Sequence, residues 1–315
     1  MQRYADSLAS PSDLQQQLSY GSALIYYARA HARSKLESTL SLLISLSLLH
    51  SAATPEQNNL DPVLQSLLSR ERASLIDLAR HDTEAATLLS SSLSGYATVR
   101  RFYELRDQDT MPTLSNSTKT LRPLERKRAA AAALIAAIES ASDCIRGGLF
   151  DPEIASVVPV DGLLSLLGET LPLLGQEKRI FTQPQIFSLL RVVEDLDTVS
   201  ARIQQGSEEL VSAAMTAYRG AGASGSGKMT RSKSNLSGSL SGSSWDMIAS
   251  QSTLGFGVDG KGKAKGNDEV KRAWDWRKGL DAVVGAEVTC QNVLGLVRAA
   301  LAREVGRGWS GVLNW

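Results

Sequence analysis

Between Leu189 and Ala217 the apolar residues return every seven positions. Leu189, Leu196, Ile203, Leu210 and Ala217 occupy one position of the repeat, and Val192, Val199, Gly206 and Ala213 occupy a second. Seven residues are close to two turns of an α-helix, so such a repeat draws a narrow apolar stripe along one side of a rod. A strand cannot use it, because strand side chains alternate with period two. The stripe must be covered by another helix, either in an antiparallel seam within the chain or in a coiled coil, and packing within the chain is favoured. Thr182-Gln183-Pro184 opens this helix with a capping residue followed by proline in the first turn.

The rest of the chain reads the same way. A first helix starts after Pro11-Ser12-Asp13, carries Leu14, Leu18, Ile25, Ala32, Leu36 and Leu43 on one face, and fades near Ala53. Asp61-Pro62 opens a second, with Leu64, Leu68, Leu75, Leu78, Ala85, Leu89, Tyr96, Val99 and Tyr103 as its seam and gaps at Glu71, Asp82 and Ser92. Unbroken to Asp107 it would be about 70 Å long, with Gly95 as its weak point. A third helix begins at Pro123, contains the alanine run 129–133 that lets a neighbouring backbone come close, and ends at Arg146 with Gly147-Gly148 as its cap. A short apolar helix follows within residues 161–175, limited by Pro172. A last helix runs from about Asp268 to Val305, with Trp276, Leu280, Val283, Cys290, Leu294, Val297 and Leu301 in its seam and Glu287 as a misfit.

Aromatic residues are only 5% of the chain, and no long segment alternates apolar and polar residues with β-branched enrichment, so strands find no place. The expected fold is all-α: an elongated bundle of roughly six helices. Residues 220–267 hold eleven of the 25 glycines and many serines without periodicity, which marks a disordered, low-complexity insert. The expected organisation is a helical bundle over 1–219, the linker over 220–267, and a C-terminal helix and tail over 268–315 that packs back on the bundle.

Several chemistries are argued against. Gly222, Gly227 and Lys228 imitate a phosphate-binding loop, but Met229 stands where a magnesium-binding hydroxyl is needed and Thr230 comes one residue late. The segment before it, ELVSAAMTAYRG, is helical rather than a strand. His31, His50 and His81 have no zinc-protease spacing, and Cys144 and Cys290 stand alone, so neither a metal site nor a disulfide framework is implied. No GxSxG elbow occurs. Glu194-Asp195, Asp197 and Glu208-Glu209 lie on outer helical faces as solvated charges. No catalytic residue, cofactor or metal is expected. A net charge of +1 gives no general reason for a nucleic-acid partner. The N-terminus lacks a secretory apolar region, so Asn116 and Asn235 are expected to stay unglycosylated in a cytoplasmic or nuclear protein. The apolar stretch 38–53 falls short of the roughly 20 residues that span a bilayer.

What remains points to binding. Arg122, Arg126, Lys127 and Arg128 crowd a helix N-terminus, where cations oppose the helix dipole, so a partner carboxylate is expected nearby. Trp274-Asp275-Trp276-Arg277 is the densest aromatic feature. Trp276 is expected in the core, while Trp274, beside Arg272 and Arg277, is a candidate hot spot. In the linker, Ser232 and Ser234 alternate with Arg231 and Lys233, which suits a basophilic kinase. Ser244–Ile248 is an apolar island suited to docking, and Lys261, Lys263 and Lys265 form a second basic cluster. Together these features favour a non-enzymatic helical scaffold or adaptor subunit that binds other proteins. The alternative is a peripheral membrane-tethering or membrane-shaping protein that uses the basic cluster at 122–128.

Overall fold

A computed structural model describes residues 19–108, 121–154, 156–223, 272–284 and 288–312. Among them are eleven α-helices and one minimal hairpin: α1 (Tyr20–Arg29), α2 (Arg33–His50), α3 (Pro62–Leu68), α4 (Ala73–His81), α5 (Thr83–Asp107), α6 (Pro123–Ser142), β1 (Ile145–Arg146), β2 (Leu149–Phe150), α7 (Leu163–Thr170), α8 (Gln183–Thr198), α9 (Ala201–Ala223), α10 (Trp276–Val284) and α11 (Cys290–Val312). The all-α expectation holds, but the rods are shorter and more numerous than the sequence pattern suggests.

The breaks have local causes. The first expected helix divides at His31, which adopts a left-handed backbone with φ of 49°. The amide of Ala32 then reaches back to the Tyr27 carbonyl at 3.0 Å and closes α1. The second divides twice, at Arg72, again left-handed, and at Asp82, whose carboxylate accepts the Ala85 amide at 2.9 Å and starts α5. Gly95 breaks nothing. It lies inside α5, where a Cβ would come within 2.6 Å of the Val157 carbonyl oxygen, so it serves a close approach. Asp61 caps α3 as expected by accepting from Leu64 N–H at 2.8 Å, and its other oxygen accepts the Gly21 amide at 2.9 Å, joining α3 to α1.

The heptad segment is likewise two helices. Val199 is extended, and the Gln204 side-chain amide donates to the carbonyls of Leu196 and Asp197 at 2.9 and 2.8 Å, which stops α8 and orients α9. Leu189, Val192, Leu196, Val199, Leu210 and Ala213 are all buried within this chain. The third helix ends at Ser142, earlier than expected. Gly147 and Gly148, both at positive φ, turn the tight hairpin β1–β2 instead of capping a helix. The last expected helix is also two, with Val288 and Thr289 non-helical between them.

A continuous apolar core runs from Ala23 in α1 to Leu301 in α11. The α5–α6 contact is the most extensive in the fold, and α6 presents Ala130, Ala131, Ala137 and Ala141, all buried, so its backbone can lie close to its neighbours. Around this pair α2 packs on α5, α9 on α2, α7 on α6, and α11 on both α7 and α8. At about 25 cal/mol per Å² of apolar surface, burial of this extent is what holds these helices together, since propensity alone leaves short helices marginal.

Candidate functional site

The C-terminus of α2 is the electrostatic centre of the fold. A helix leaves its last carbonyls without intrahelical donors, and their dipoles favour positive charge. Three arginines meet that demand. Arg277 donates to Leu49 O at 3.0 Å and to His50 O at 3.2 Å. Arg272 donates to His50 O at 2.8 Å and to Ser51 O at 3.0 Å. Arg106, at the end of α5, donates to Ser51 O at 2.6 Å and to the Ser51 hydroxyl at 2.7 Å. Ser51 itself is left-handed, with φ of 45°, which turns its carbonyl and hydroxyl toward the arginines.

Carboxylates balance this charge. Asp107 holds Arg106 through two bonds of 2.8 Å and accepts the Ala273 amide at 3.1 Å. Asp275 holds Arg277 at 2.9 and 2.7 Å. Glu169 of α7, fully buried, accepts from the Ser51 hydroxyl at 2.5 Å and lies 3.4 Å from Arg106. Burial pushes the Glu169 carboxyl above the ordinary range, with Arg106 and Ser51 pulling the other way. Burial works to raise Asp275 too, but the hydrogen bond and charge of Arg277 win and hold it below the usual value. His50, beside the cluster, is held low by burial and by Arg277 and Arg272. Arg106 also lies over the Tyr103 ring at 4.8 Å, and Arg277 over Tyr218 of α9 at 5.2 Å. Through this cluster α2, α5, α7, α9 and α10 meet at one buried junction.

The expected partner-binding residues divide between inside and outside. Trp276 is buried against α7, so close that a Cβ on Gly168 would come within 2.6 Å of the indole ring. Arg277 is 2% exposed and taken up by the junction. Trp274 is half-buried, and its indole nitrogen has no hydrogen-bond partner among the described residues. At the start of α6, Arg122 and Arg128 are exposed and Arg126 is buried. Lys127 donates to the Gln176 side chain at 3.0 Å and Arg128 to the Arg179 carbonyl at 3.4 Å, so an amide and a carbonyl answer these two cations where a carboxylate was expected. Ser232 and Ser234, the Lys228 loop after Ala223, the island at Ser244–Ile248 and the Lys261–Lys265 cluster lie outside the described residues. α9 continues to Ala223, so the first glycine of the phosphate-loop look-alike belongs to a helix.

Arg106, Asp107 and Glu169 escaped sequence reading as a site, and Arg272 and Asp275 figured there only as neighbours of the tryptophans. One signal was available: Glu169 is the single charged residue in LLSLLGETLPLL, residues 163–174. A lone carboxylate within an apolar run is buried with a partner or not at all. Both cysteines are buried, and burial pushes the Cys290 thiol up to about 11, so it is a poor nucleophile at neutral pH. No group of three or more histidine, cysteine, aspartate or glutamate side chains among the described residues could hold a metal ion.

Comparison with known proteins adds one finding. Over 304 residues the chain is 39% identical to nucleoporin NUP85 of Chaetomium thermophilum, an alignment that takes in 92% of this chain and 25% of that protein. The chain thus spans about a quarter of the length of the curated relative it matches. No protein-family model matches it, and no solved structure does. Across nearly its whole length, then, the chain is similar to one quarter of a nucleoporin.

Proposed function

We propose that this chain is a non-enzymatic helical scaffold segment of a nuclear pore assembly, holding neighbouring proteins on its helical faces. The observation that carries the reading is the 39% identity to nucleoporin NUP85, in an alignment that takes in 92% of this chain. The chemistry of the molecule supports it. The densest cluster of charged side chains is buried and turned inward, where it fixes the mutual placement of five helices. Rigid placement of faces is what a scaffold requires. Among the residues singled out in the sequence, Arg122 and Arg128 are exposed to a partner, Trp274 is half-buried against the core, and Trp276, Arg277 and Arg126 are buried. Phosphorylation at Ser232 and Ser234 would add negative charge beside Arg231 and Lys233 and so tune such contacts.

The membrane-tethering alternative is the weaker reading. Of the four cations at 122–128 on which it relies, Arg126 is buried within the fold. Among the described residues no helix is long and apolar enough to cross a membrane.

The test is to tag the chain in cells of its source organism, image it, and purify it with its partners under mild conditions. A punctate signal at the nuclear rim and co-purification with nucleoporins in near-equal amounts are expected. A diffuse signal with no nucleoporin recovered would overturn the reading.

A further inference from the structure

Outside the junction, one surface combines an apolar groove with a basic lip. The groove encloses about 520 Å³ between α10, α11 and the turn after α7. Leu171 and Leu174 come from the turn, Leu280 and Val283 from α10, and Leu296 and Ala300 from α11. Val283 is 67% exposed, an unusual position for a large aliphatic side chain. Arg303 and Arg307 stand at the rim.

Hydrogen bonds between distant segments extend that rim into a basic lip. Arg307 donates to the Gln176 and Glu177 carbonyls at 2.8 and 3.0 Å, and Arg179 donates to Glu304 O at 2.9 Å. Lys127 and Arg128 of α6 reach the same 176–179 loop. The lip therefore gathers Lys127, Arg128, Lys178, Arg179, Arg303 and Arg307 from three parts of the sequence. The carboxylates there are fewer among the described residues: Glu125 and Glu177 are exposed, and Glu304, which also lines the groove, is buried and bound by the Gly175 amide, Arg307 and Arg179. Arg128, Lys178 and Arg303 are exposed and form no ion pair among the described residues.

We propose that this groove and its lip dock an amphipathic, acidic helix of a neighbouring protein. An aliphatic stripe at helical spacing would fill the groove, and carboxylates beside it would meet the lip. Shape selects a helix over a bilayer, because Leu280 is fully buried at the base of a recess that a flat lipid surface does not enter. Charge selects against a second copy of this chain, since two copies joined through this face would bring their basic lips together. The proposal rests on the scaffold reading and names one of its contact faces.

Binding of a labelled synthetic peptide to the purified full chain, followed by fluorescence anisotropy, tests it. The peptide carries leucines at i, i+3, i+4 and i+7 flanked by glutamates; a second has every glutamate replaced by lysine. The acidic peptide is expected to bind saturably, and the lysine peptide at least tenfold more weakly. Val283→Asp should weaken the acidic peptide at least tenfold. Arg303→Glu with Lys178→Glu should reverse the preference between the peptides. All three positions are exposed, so unchanged circular dichroism is expected to accompany these losses. Equal binding of both peptides, binding of neither, or indifference to Val283→Asp would overturn the proposal. So would binding to phosphatidylserine vesicles without peptide binding, which assigns the face to a membrane. A concentration-dependent dimer lost in Val283→Asp would assign it to a second copy. The two readings fail separately. If the Val283→Asp chain loses the peptide but keeps its place at the nuclear rim, this groove is not needed for that placement. If the wild-type chain binds the peptide but is absent from the rim, the scaffold reading fails.

Discussion

The junction at the end of α2 and the lip beside α11 are both rich in arginine, yet they use it in opposite ways. At the junction Arg106 and Arg277 are buried, each matched to carboxylates and to carbonyls that would otherwise have no donor. At the lip Arg303 and Arg128 are exposed and unpaired with any carboxylate of the described chain. Burial decides the role. A charge in the interior is costly unless its partners are in place, so it fixes geometry, whereas a charge in water contributes little to folding and stays available to a partner.

That contrast can be broken by substitution. Arg106→Met should have the largest effect, a loss of about 3–5 kcal/mol in chemical denaturation, because Glu169 and Asp107 lose their buried counter-charge. Adding Glu169→Gln should recover part of the loss by neutralising one orphan. Full additivity of the two changes would show that Arg106 and Glu169 are not coupled. Arg277→Ala comes next, at about 1–3 kcal/mol, since it strips donors from Leu49 O and His50 O and leaves Asp275 underpaired.

The third effect depends on pH. His50 has its folded value held below the ordinary one, so well above pH 6.5 it is neutral in both states and contributes no slope. As pH falls below that, the unfolded chain takes up a proton that the fold resists. Stability should therefore drop on acidification through this range until the folded value is reached, by no more than about 1.4 kcal/mol per pH unit. His50→Gln should flatten that part of the profile, and an unchanged slope would remove His50 from the junction's electrostatics. The smallest effect is expected at the lip, where Arg303→Glu should change stability by no more than about 0.5 kcal/mol. A loss comparable to that of Arg277→Ala would abolish the distinction between the two regions.

Legibility in the sequence followed the physics of each feature. Apolar periodicity exposed the helices, because burying a stripe demands it at every turn. The helix ends were harder to read. His31, Ser51 and Arg72 end or precede helices in the left-handed region that glycine usually occupies, so no glycine announced the breaks. The glycines that did stand out, Gly147 and Gly148, turn a hairpin instead. The break at Val199 leaves Leu189, Val192 and Leu196 buried before it and Leu210 and Ala213 buried after it, which is why spacing alone read through it. For the candidate site, local motifs picked Trp276 and Arg277 but not the carbonyls of α2 that Arg277 serves, more than 220 residues away. The lip was half visible as the cluster at 122–128. Its other half comes from the 176–179 loop and α11 and becomes one surface only through tertiary hydrogen bonds.

Hydrogen exchange of the wild-type chain and of Arg277→Ala, read by mass spectrometry, tests most directly whether the junction is a shared lock. In the variant the amides of residues 44–52 and of residues 276–284 should lose protection together, by at least tenfold, while those of residues 183–198 in α8 keep theirs. Loss confined to residues 276–284, with the end of α2 as protected as before, would contradict the claim that these buried charges hold the helices as one body.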